Sequence, residues 1–370
     1  MKSQSEIDFL NTFFNSDFNV IDFVKEFNGV LSLENLTSRA IPFQCKSDPN
    51  DKLNRIKKNT LNFSLIKSFN SIWIYECEYE NKQNKENKIK EKFILFKISG
   101  YNNIYLIITI GSSYFYHNII KTTLKNLYPY FLFTFITNDK LESLISSFQK
   151  KYGFSELKVL RETHQFRILG KDKSEKNVRG INWSKNIILE DAFIWINDNN
   201  GFFKSLFIDA INSEKNLNLK FGITRQGVLV FNKSFDKIYD SFIKPICQLL
   251  NENSKFFDNR ARRNINYDVK PVQINLNYEV FSDKDMNLNF ISILKSYKKA
   301  SVSVIHGNPY IHITTSDFYD GSVFDIWVLD KKTIIIVPQL KASVSSIKRL
   351  INYIFDNFEE GEIIEYKMGV

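Results

Sequence analysis

The chain of 370 residues contains 50 Lys and Arg residues against 41 Asp and Glu residues, which gives a formal net charge of +9. Hydrophobic residues make up 43% and charged residues 25%, a balance that is typical of globular proteins and excludes a wholly disordered chain. The three cysteines, Cys45, Cys77 and Cys247, lie far apart and form no CxxC pair. This sparse, odd count argues against a disulfide framework, and the wide spacing excludes a cysteine-rich zinc site.

The most apolar segment of the chain, residues 127–136, contains Pro129 and has half the roughly 20 residues that a membrane helix requires. The first eight residues include Glu6 and Asp8, where a signal peptide needs a continuous apolar stretch. We therefore expect a cytoplasmic protein that does not contact a membrane.

The N-terminal segment, residues 1–60, is predicted to be helical because its apolar residues recur at three- and four-residue spacing. These residues are Phe9, Leu10, Phe13, Phe14, Val20, Phe23, Val24 and Phe27. From Phe63 the pattern becomes that of strands, at 71–79 and 92–98. The polar tract between them, residues 81–91, is predicted to be a solvated hairpin loop.

Strand and helix patterns alternate over the rest of the segment 61–170, which we interpret as an α/β domain. The predicted elements are a strand at 104–110, a helix at 116–127, a strand at 130–137, a helix at 139–152 and a strand at 156–160. Asn138 is the predicted N-cap of the second helix, and Gly153 its stop.

A charged segment, residues 170–180, is the predicted boundary before two modules at 181–265 and 271–370. Each module contains a predicted strand pair followed by a helix: 219–231 with a helix from Asp236 to about Asn253, and 324–337 with a helix at 343–358. Further helices are predicted upstream, at 202–211 and 286–298, and Pro245 should kink its helix. The fold class is therefore α/β (α+β), multidomain, with N-terminal helices and mixed sheets.

Several common enzyme motifs are missing from the sequence. No two glycines form a GxG pair, so the Rossmann fingerprint is missing. Gly222 and Gly227 have P-loop spacing, but Val228 and Leu229 follow them in place of Lys and Ser or Thr. The chain contains neither GxSxG nor HExxH, which argues against common serine hydrolases and zinc proteases.

One group of residues in the last module has a pattern suited to phosphodiester chemistry. Asp325 opens an apolar strand, and Gln339 and Lys341 follow the next strand along the chain. Side chains two residues apart share a face of a strand, so Gln339 and Lys341 are expected to face Asp325 across the hairpin. A carboxylate with polar oxygens binds Mg²⁺, and a lysine nearby activates an attacking water.

The order of predicted elements from residue 286 to 366, together with Gln339-x-Lys341 and the lead-in Tyr319–Ile326, resembles the core of PD-(D/E)XK nucleases. The Gln-x-Lys form is similar to the Mrr-type variant of restriction endonucleases. The resemblance covers about residues 275–370 and implies a restriction-endonuclease-like module. It implies that Asp325 is a metal ligand for Mg²⁺, that Gln339 replaces the usual acid, and that Lys341 is the catalytic lysine. An extra strand at 310–315 and Pro338 depart from the family pattern.

A second candidate metal position is formed by His306 and His312, which flank a turn, together with Asp317 and Asp320. Imidazole and carboxylate are suitable ligands for transition metals. The alternative is that these are solvated turn residues.

The densest basic cluster, residues 255–267, is the candidate nucleic-acid contact. Its cations are Lys255, Arg260, Arg262 and Arg263, and neighbouring aromatic residues are suited to stack on bases. The alternative is an ordinary helix end, where cations complement the helix dipole.

A sequence pI near 9.1 favours polyanionic partners. We therefore predict a protein that binds or processes nucleic acid. The resemblance implies a Mg²⁺-dependent hydrolase in a restriction or antiviral defence setting. The alternative is a non-catalytic protein-interaction subunit of a larger, defence-type complex.

Overall fold

The computed structural model describes residues 20–34, 37–58, 60–81, 84–166, 187–199, 201–212, 217–261, 269–282 and 284–366. These residues form an α+β protein, which confirms the predicted fold class. They divide into an N-terminal unit (residues 1–164, 179–197 and 203–251) and a C-terminal unit (165–178, 198–202 and 252–370). The predicted boundary segment 170–180 lies outside the described residues.

The N-terminal unit is built on a large sheet. Its strands are β1 (Ser38–Cys45), β2 (Lys57–Lys58), β3 (Leu61–Phe69), β4 (Ile72–Asn81), β5 (Asn84–Lys97), β6 (Ile104–Ile110), β7 (Phe131–Phe133), β8 (Glu156–Phe166), β9 (Ile187–Ile188), β10 (Gly201–Asn212), β11 (Leu217–Thr224) and β12 (Leu229–Phe231). They run in the order β2-β3-β4-β5-β6-β1-β12-β11-β10-β8-β9, and β7 pairs with β1. Strands from the predicted segments 61–170 and 181–265 therefore belong to one sheet.

Helices accompany this sheet: α1 (Val20–Glu34), α2 (Pro49–Leu53), α3 (Lys121–Asn126), α4 (Asn138–Tyr152), α5 (Leu189–Asp198), α6 (Phe235–Ile238) and α7 (Lys244–Asp258), with π-helical turns at Phe115–Ile120 and Tyr239–Ile243. Phe23 of α1 stacks on Phe96 of β5 at 5.7 Å. On the opposite face of the sheet, Phe93 of β5 belongs to a core cluster of buried side chains. Phe115 of the π-helical turn and Leu124 of α3 belong to the same cluster. The central strands are consequently covered on both faces, which explains why all residues of β1 are buried.

Among its described residues, the segment 1–60 contains helices α1 and α2, but the helical prediction is wrong for β1 and β2, which are strands. The eight residues of β1 are buried between β6 and β12, so pairing on both edges stabilises an extended conformation. The predicted helix 202–211 is likewise wrong, because this segment is strand β10. Its apolar residues fit both helical and strand periods, and pairing with β11, such as Leu206 opposite Ile223, determines the conformation.

The tract 81–91 is not a loop, because strand β5 begins at Asn84. Its lysines lie opposite the glutamates of β4: Lys88 is paired with Glu80, and Lys90 with Glu78. Ion pairs also form on the diagonal, with Lys88 Nζ 3.8 Å from Glu78 and Lys90 Nζ 3.5 Å from Glu76. Complementary charges across an antiparallel pair stabilise strands that lack apolar residues.

Local residue chemistry explains the two ends of α4 and the irregular turn before α7. The predicted N-cap is wrong by one residue: Thr137 is the N-cap of α4. Asn138 is its first residue, and its Oδ1 accepts a hydrogen bond from Phe203 N at 3.2 Å. Gly153 ends α4 in the left-handed conformation, at φ +66°, as the sequence predicts. The π-helical turn at Tyr239–Ile243 ends two residues before Pro245, which lacks the N–H that a regular helix uses.

The C-terminal unit contains a six-stranded sheet and two helices. Its strands are β13 (Val272–Leu276), β14 (Ala300–His306), β15 (Ile311–Asp317), β16 (Val323–Val328), β17 (Thr333–Pro338) and β18 (Gly361–Glu365), and its helices are α8 (Lys284–Lys295) and α9 (Val344–Asn357). The strand order is β14-β15-β16-β17-β13-β18, and every neighbouring pair is antiparallel. This sheet is therefore antiparallel, whereas the sequence predicts a mixed sheet. Among the described residues, no helix in either unit is both long and apolar enough to cross a bilayer.

Candidate functional site

The candidate site lies on one face of the C-terminal sheet. Along β16 the residues alternate, so Phe324, Ile326 and Val328 are buried while Asp325 and Trp327 are half-buried on the other face. Strand β15 has the same alternation. We call the second face the open face and define it by His312, Thr314, Asp325, Trp327 and Gln339.

Asp325 is at the centre of the open face and is held by residues of both neighbouring strands. Thr314, directly opposite on β15, donates from its hydroxyl to Asp325 Oδ1 at 2.6 Å. Gln339, which follows β17, donates from Nε2 to Asp325 Oδ2 at 2.5 Å. Each carboxylate oxygen therefore already accepts one hydrogen bond, which fixes its orientation.

His312 completes this group. Its ring stacks on Trp327, with centroids 3.6 Å apart and planes at 14°. Its Nε2 is buried, has no hydrogen-bond partner among the described residues, and lies 3.8 Å from Asp325 Oδ1. The side chains of His312 and Asp325 are 20% and 22% exposed, so solvent reaches both.

The structure brings two of the three predicted site residues, Asp325 and Gln339, into direct contact. Lys341 is exposed, and its side chain lies close to Gly321. Its Nζ is 3.0 Å from the position that a Cβ atom would take on this glycine. Within the described part of the chain, no carboxylate lies within ion-pair distance of Lys341. The lysine therefore lies beside Gly321, in the turn between β15 and β16, and forms no ion pair with Asp325.

The residues around Asp325 do not fit a Mg²⁺ ion. This ion prefers six oxygen ligands and commonly uses one or two carboxylates with waters. Asp325 is one carboxylate whose two oxygens are engaged, and Gln339 turns its N–H, rather than its oxygen, toward it. No cluster of three His, Cys, Asp or Glu side chains suited to a metal occurs among the described residues.

The second candidate metal position is not assembled. Asp317 accepts from Arg349 Nε at 2.8 Å, and the Asp320 carboxylate accepts from the hydroxyls of Ser343 and Ser346. His312 approaches Asp325 instead, because side chains on alternate positions of β15 point to opposite faces.

The Asp320 cluster stabilises the start of α9. Ser343 is the N-cap, and its Oγ accepts from Ser346 N at 3.1 Å. Burial opposes ionisation of Asp320, but hydrogen bonds from Ser343, Ser322 and Ser346 outweigh it and lower the pKa of this carboxyl. This cluster is a helix cap, and its groups are already paired.

The basic cluster is described in part. Arg260 is 4% exposed: its guanidinium lies 3.5 Å above the Phe256 ring and pairs with Glu365 at 3.2 Å. Burial lowers the pKa of Arg260, and Glu365 raises it. Contact with a phosphate would require this ion pair to break. Lys255 is exposed on α7, and Arg262 and Arg263 lie outside the described residues.

Charge is unevenly distributed along the sequence. Residues 271–370 contain 10 Lys and Arg against 12 Asp and Glu, whereas residues 1–270 contain 40 against 29. The basic excess therefore lies outside the segment that carries the open face. Ligand contacts on the open face must depend more on stacking and hydrogen bonds than on charge.

Sequence reasoning missed His312 and Trp327 as partners of Asp325. The available signals were the alternation of polar and apolar residues in 311–317, which places His312 and Thr314 on one face, and the two-residue spacing of Asp325 and Trp327.

No protein-family model matches the chain, and no curated protein is similar to it in sequence.

Proposed function

We propose that the protein binds single-stranded nucleic acid on the open face of its C-terminal sheet. The observation that carries this proposal is the stacked pair of His312 and Trp327 beside the hydrogen-bonded pair of Asp325 and Gln339. Both pairs lie on a half-buried sheet face.

The aromatic pair supports base stacking. Sheets that display aromatic side chains bind unpaired bases, each stacked base contributing about 1–3 kcal/mol. Trp327 is half-buried and is oriented by His312, so it is held in place before a base arrives.

The polar pair supports recognition of base edges. Gln339 uses one N–H on Asp325, which leaves a second N–H and the carbonyl oxygen for a ligand. The Asp325 oxygens retain lone pairs that can accept from an exocyclic amino group. Lys341, exposed and without an ion pair among the described residues, is available to a phosphate.

The test is fluorescence anisotropy with labelled single-stranded DNA, single-stranded RNA and duplex DNA at several salt concentrations. We expect Trp327→Ala to weaken single-strand binding about tenfold, which corresponds to loss of one stacked base. Tyr278→Ala, which removes an aromatic side chain that is 52% exposed elsewhere in the unit, is the matched control. Equal affinity of Trp327→Ala and the unmodified protein would refute the proposal.

The nuclease implied by the sequence resemblance is tested in the same reaction mixtures. Cleavage that requires Mg²⁺ and is lost in Lys341→Ala would replace binding with hydrolysis as the function. Intact oligonucleotide in every mixture, with retained binding, is the outcome we expect.

A second candidate function is binding of a protein partner, as a non-catalytic subunit. It is favoured by exposed apolar side chains of the C-terminal unit: Ile305 at 61%, Phe318 at 64% and Leu340 at 62%. Such residues are common in protein interfaces. A stable complex recovered on purification, without affinity for nucleic acid, would favour this function.

A further inference from the structure

A buried arginine without an ion pair lies in the N-terminal unit. Arg39 of β1 is 9% exposed, and its Nη1 has no hydrogen-bond partner among the described residues. Within the same part of the chain, no carboxylate lies within ion-pair distance of it. A guanidinium stays charged at any physiological pH, so burial without a counter-ion is costly.

A second buried polar group lies opposite Arg39. Thr109 of β6 is directly across the strand pair, is fully buried, and its hydroxyl also lacks a partner among the described residues. The ring of Tyr116 lies 5.1 Å from the guanidinium carbon and covers one side of it. Tyr116 belongs to the π-helical turn, a feature often found at functional sites.

Glu91, the acid whose charge acts on Arg39, is occupied by other groups. It accepts from the Tyr79 hydroxyl at 2.7 Å, the Ser112 hydroxyl at 2.8 Å and the Ser112 N–H at 3.0 Å. It affects Arg39 only through longer-range attraction. Glu91 therefore does not complete the arginine's hydrogen bonding.

The π-helical turn that covers Arg39 carries further basic groups. His117 follows Tyr116, with the two ring centroids 4.6 Å apart, and Lys121 comes one turn later, at the start of α3. Burial lowers the pKa of His117, and the charges of Lys121 and Arg39 lower it further, so its imidazole is uncharged at neutral pH. Burial also lowers the pKa of Lys121, and Lys125 adds to this. No acid is paired with Arg39 or Lys121 among the described residues, so these two charges attract an anion.

We propose that Arg39, Thr109, His117 and Lys121 form a binding site for a phosphate group, next to the π-helical turn. A phosphate carries close to two negative charges and several acceptor oxygens, which match a guanidinium, an ammonium, a hydroxyl and an imidazole N–H. Its source is either a free phosphate compound or a nucleic-acid backbone. The site lies in the N-terminal unit and does not depend on the function proposed for the open face.

The test is isothermal titration calorimetry of the full chain with inorganic phosphate. A titration with sodium chloride at the same ionic strength is the reference. We expect saturable binding that weakens at least about tenfold in Arg39→Met and several-fold in Lys121→Ala. Lys121→Ala alters a half-buried helix residue and should fold normally, which protects the test if Arg39→Met misfolds. Lys150→Ala, which removes an exposed lysine of α4, is the control and should bind like the unmodified protein.

Two results would overturn the site: no saturable phosphate binding by the unmodified protein, or unchanged affinity in Lys121→Ala. Competition by an oligothymidine strand would identify the nucleic-acid backbone as the source of the phosphate. Phosphate binding that the strand leaves unchanged would identify a free phosphate compound. Trp327→Ala should leave phosphate affinity unchanged, which separates this site from the open face.

Discussion

Gln339 donates a hydrogen bond to Asp325 at 2.5 Å although the two residues are fourteen positions apart. The antiparallel pairing of β16 with β17 places Asp325 opposite Val337, two residues before Gln339. Thr314 approaches the same carboxylate from β15. One carboxylate thus links three neighbouring strands, β15, β16 and β17.

Replacement of Asp325 should destabilise the C-terminal unit. Asp325→Ala leaves the donors of Thr314 and Gln339 without their acceptor, and we expect a loss of about 1–2 kcal/mol in the free energy of unfolding. Asp325→Asn should lose less, because its amide oxygen still accepts from one donor. Urea unfolding at neutral pH measures both. An unfolding midpoint of Asp325→Ala equal to that of the unmodified protein would contradict this prediction.

Stability should depend on Asp320 at acidic pH. Because its pKa is lowered in the folded state, Asp320 stabilises the protein above the pKa of an unfolded aspartate, near 3.9. That contribution is lost as pH falls below about 4 and through the folded pKa. As the pH is lowered from about 6 to about 3, the urea concentration at the unfolding midpoint should therefore fall less steeply in Asp320→Asn than in the unmodified protein. Glu362→Gln, which removes an exposed carboxylate, should retain the slope of the unmodified protein; identical slopes for both variants would count against the prediction.

Arg349 should be among the most sensitive positions of the C-terminal unit. It binds Asp317, which is 1% exposed, through Nε and Nη2, and donates to the carbonyl oxygens of Lys298 and Lys299. Arg349→Ala leaves a buried carboxylate unpaired, and we expect a loss of about 3 kcal/mol. Arg349→Lys cannot form all these hydrogen bonds and should recover little of it.

A double variant separates the charge from the packing. Asp317→Asn combined with Arg349→Met removes both charges, so it should be more stable than Arg349→Met alone. Chemical unfolding of the double variant and of its two single variants, Asp317→Asn and Arg349→Met, measures the coupling. If the free energy of unfolding lost in the double variant equals the sum of the losses in the two single variants, the two residues are not coupled.

The hairpin of β4 and β5 should respond to salt. Lys90→Glu replaces an ion pair with Glu76 by repulsion, and we expect a loss of up to about 1 kcal/mol at low ionic strength. The loss should shrink in 1 M NaCl, because the Debye length there is about 3 Å. Thermal unfolding at both salt concentrations tests this. Lys150→Glu, at an exposed helix position, should show a smaller salt effect.

Elements with an amphipathic period or a local stop signal could be predicted from the sequence. Helix α9 follows from apolar residues at helical spacing after the N-cap Ser343, and strands β16 and β17 follow from two apolar runs around Asp330. The C-terminus of α4 was predictable because Gly153 adopts a left-handed conformation that other residues rarely tolerate.

Features that depend on neighbours distant in the chain could not be predicted. The segment 202–211 fits a helix and a strand equally, and only its pairing with β11 makes it extended. The charged tract 84–91 becomes a strand because the glutamates of β4 lie opposite its lysines. Local sequence contains neither partner.

The sequence by itself determined the α+β composition, the presence of the last hairpin and helix, and the alternation that puts Asp325 on one face of a strand. Tertiary structure alone decided which side chains from other strands meet there, since His312 and Thr314 join Asp325 and Trp327 only through the pairing of β15 with β16. It also decided that Arg260 is buried, whereas its sequence context resembles an exposed basic cluster. Periodicity is a local property of the chain, but burial and contact depend on how strands pair, and pairing is set by the free energy of the whole fold.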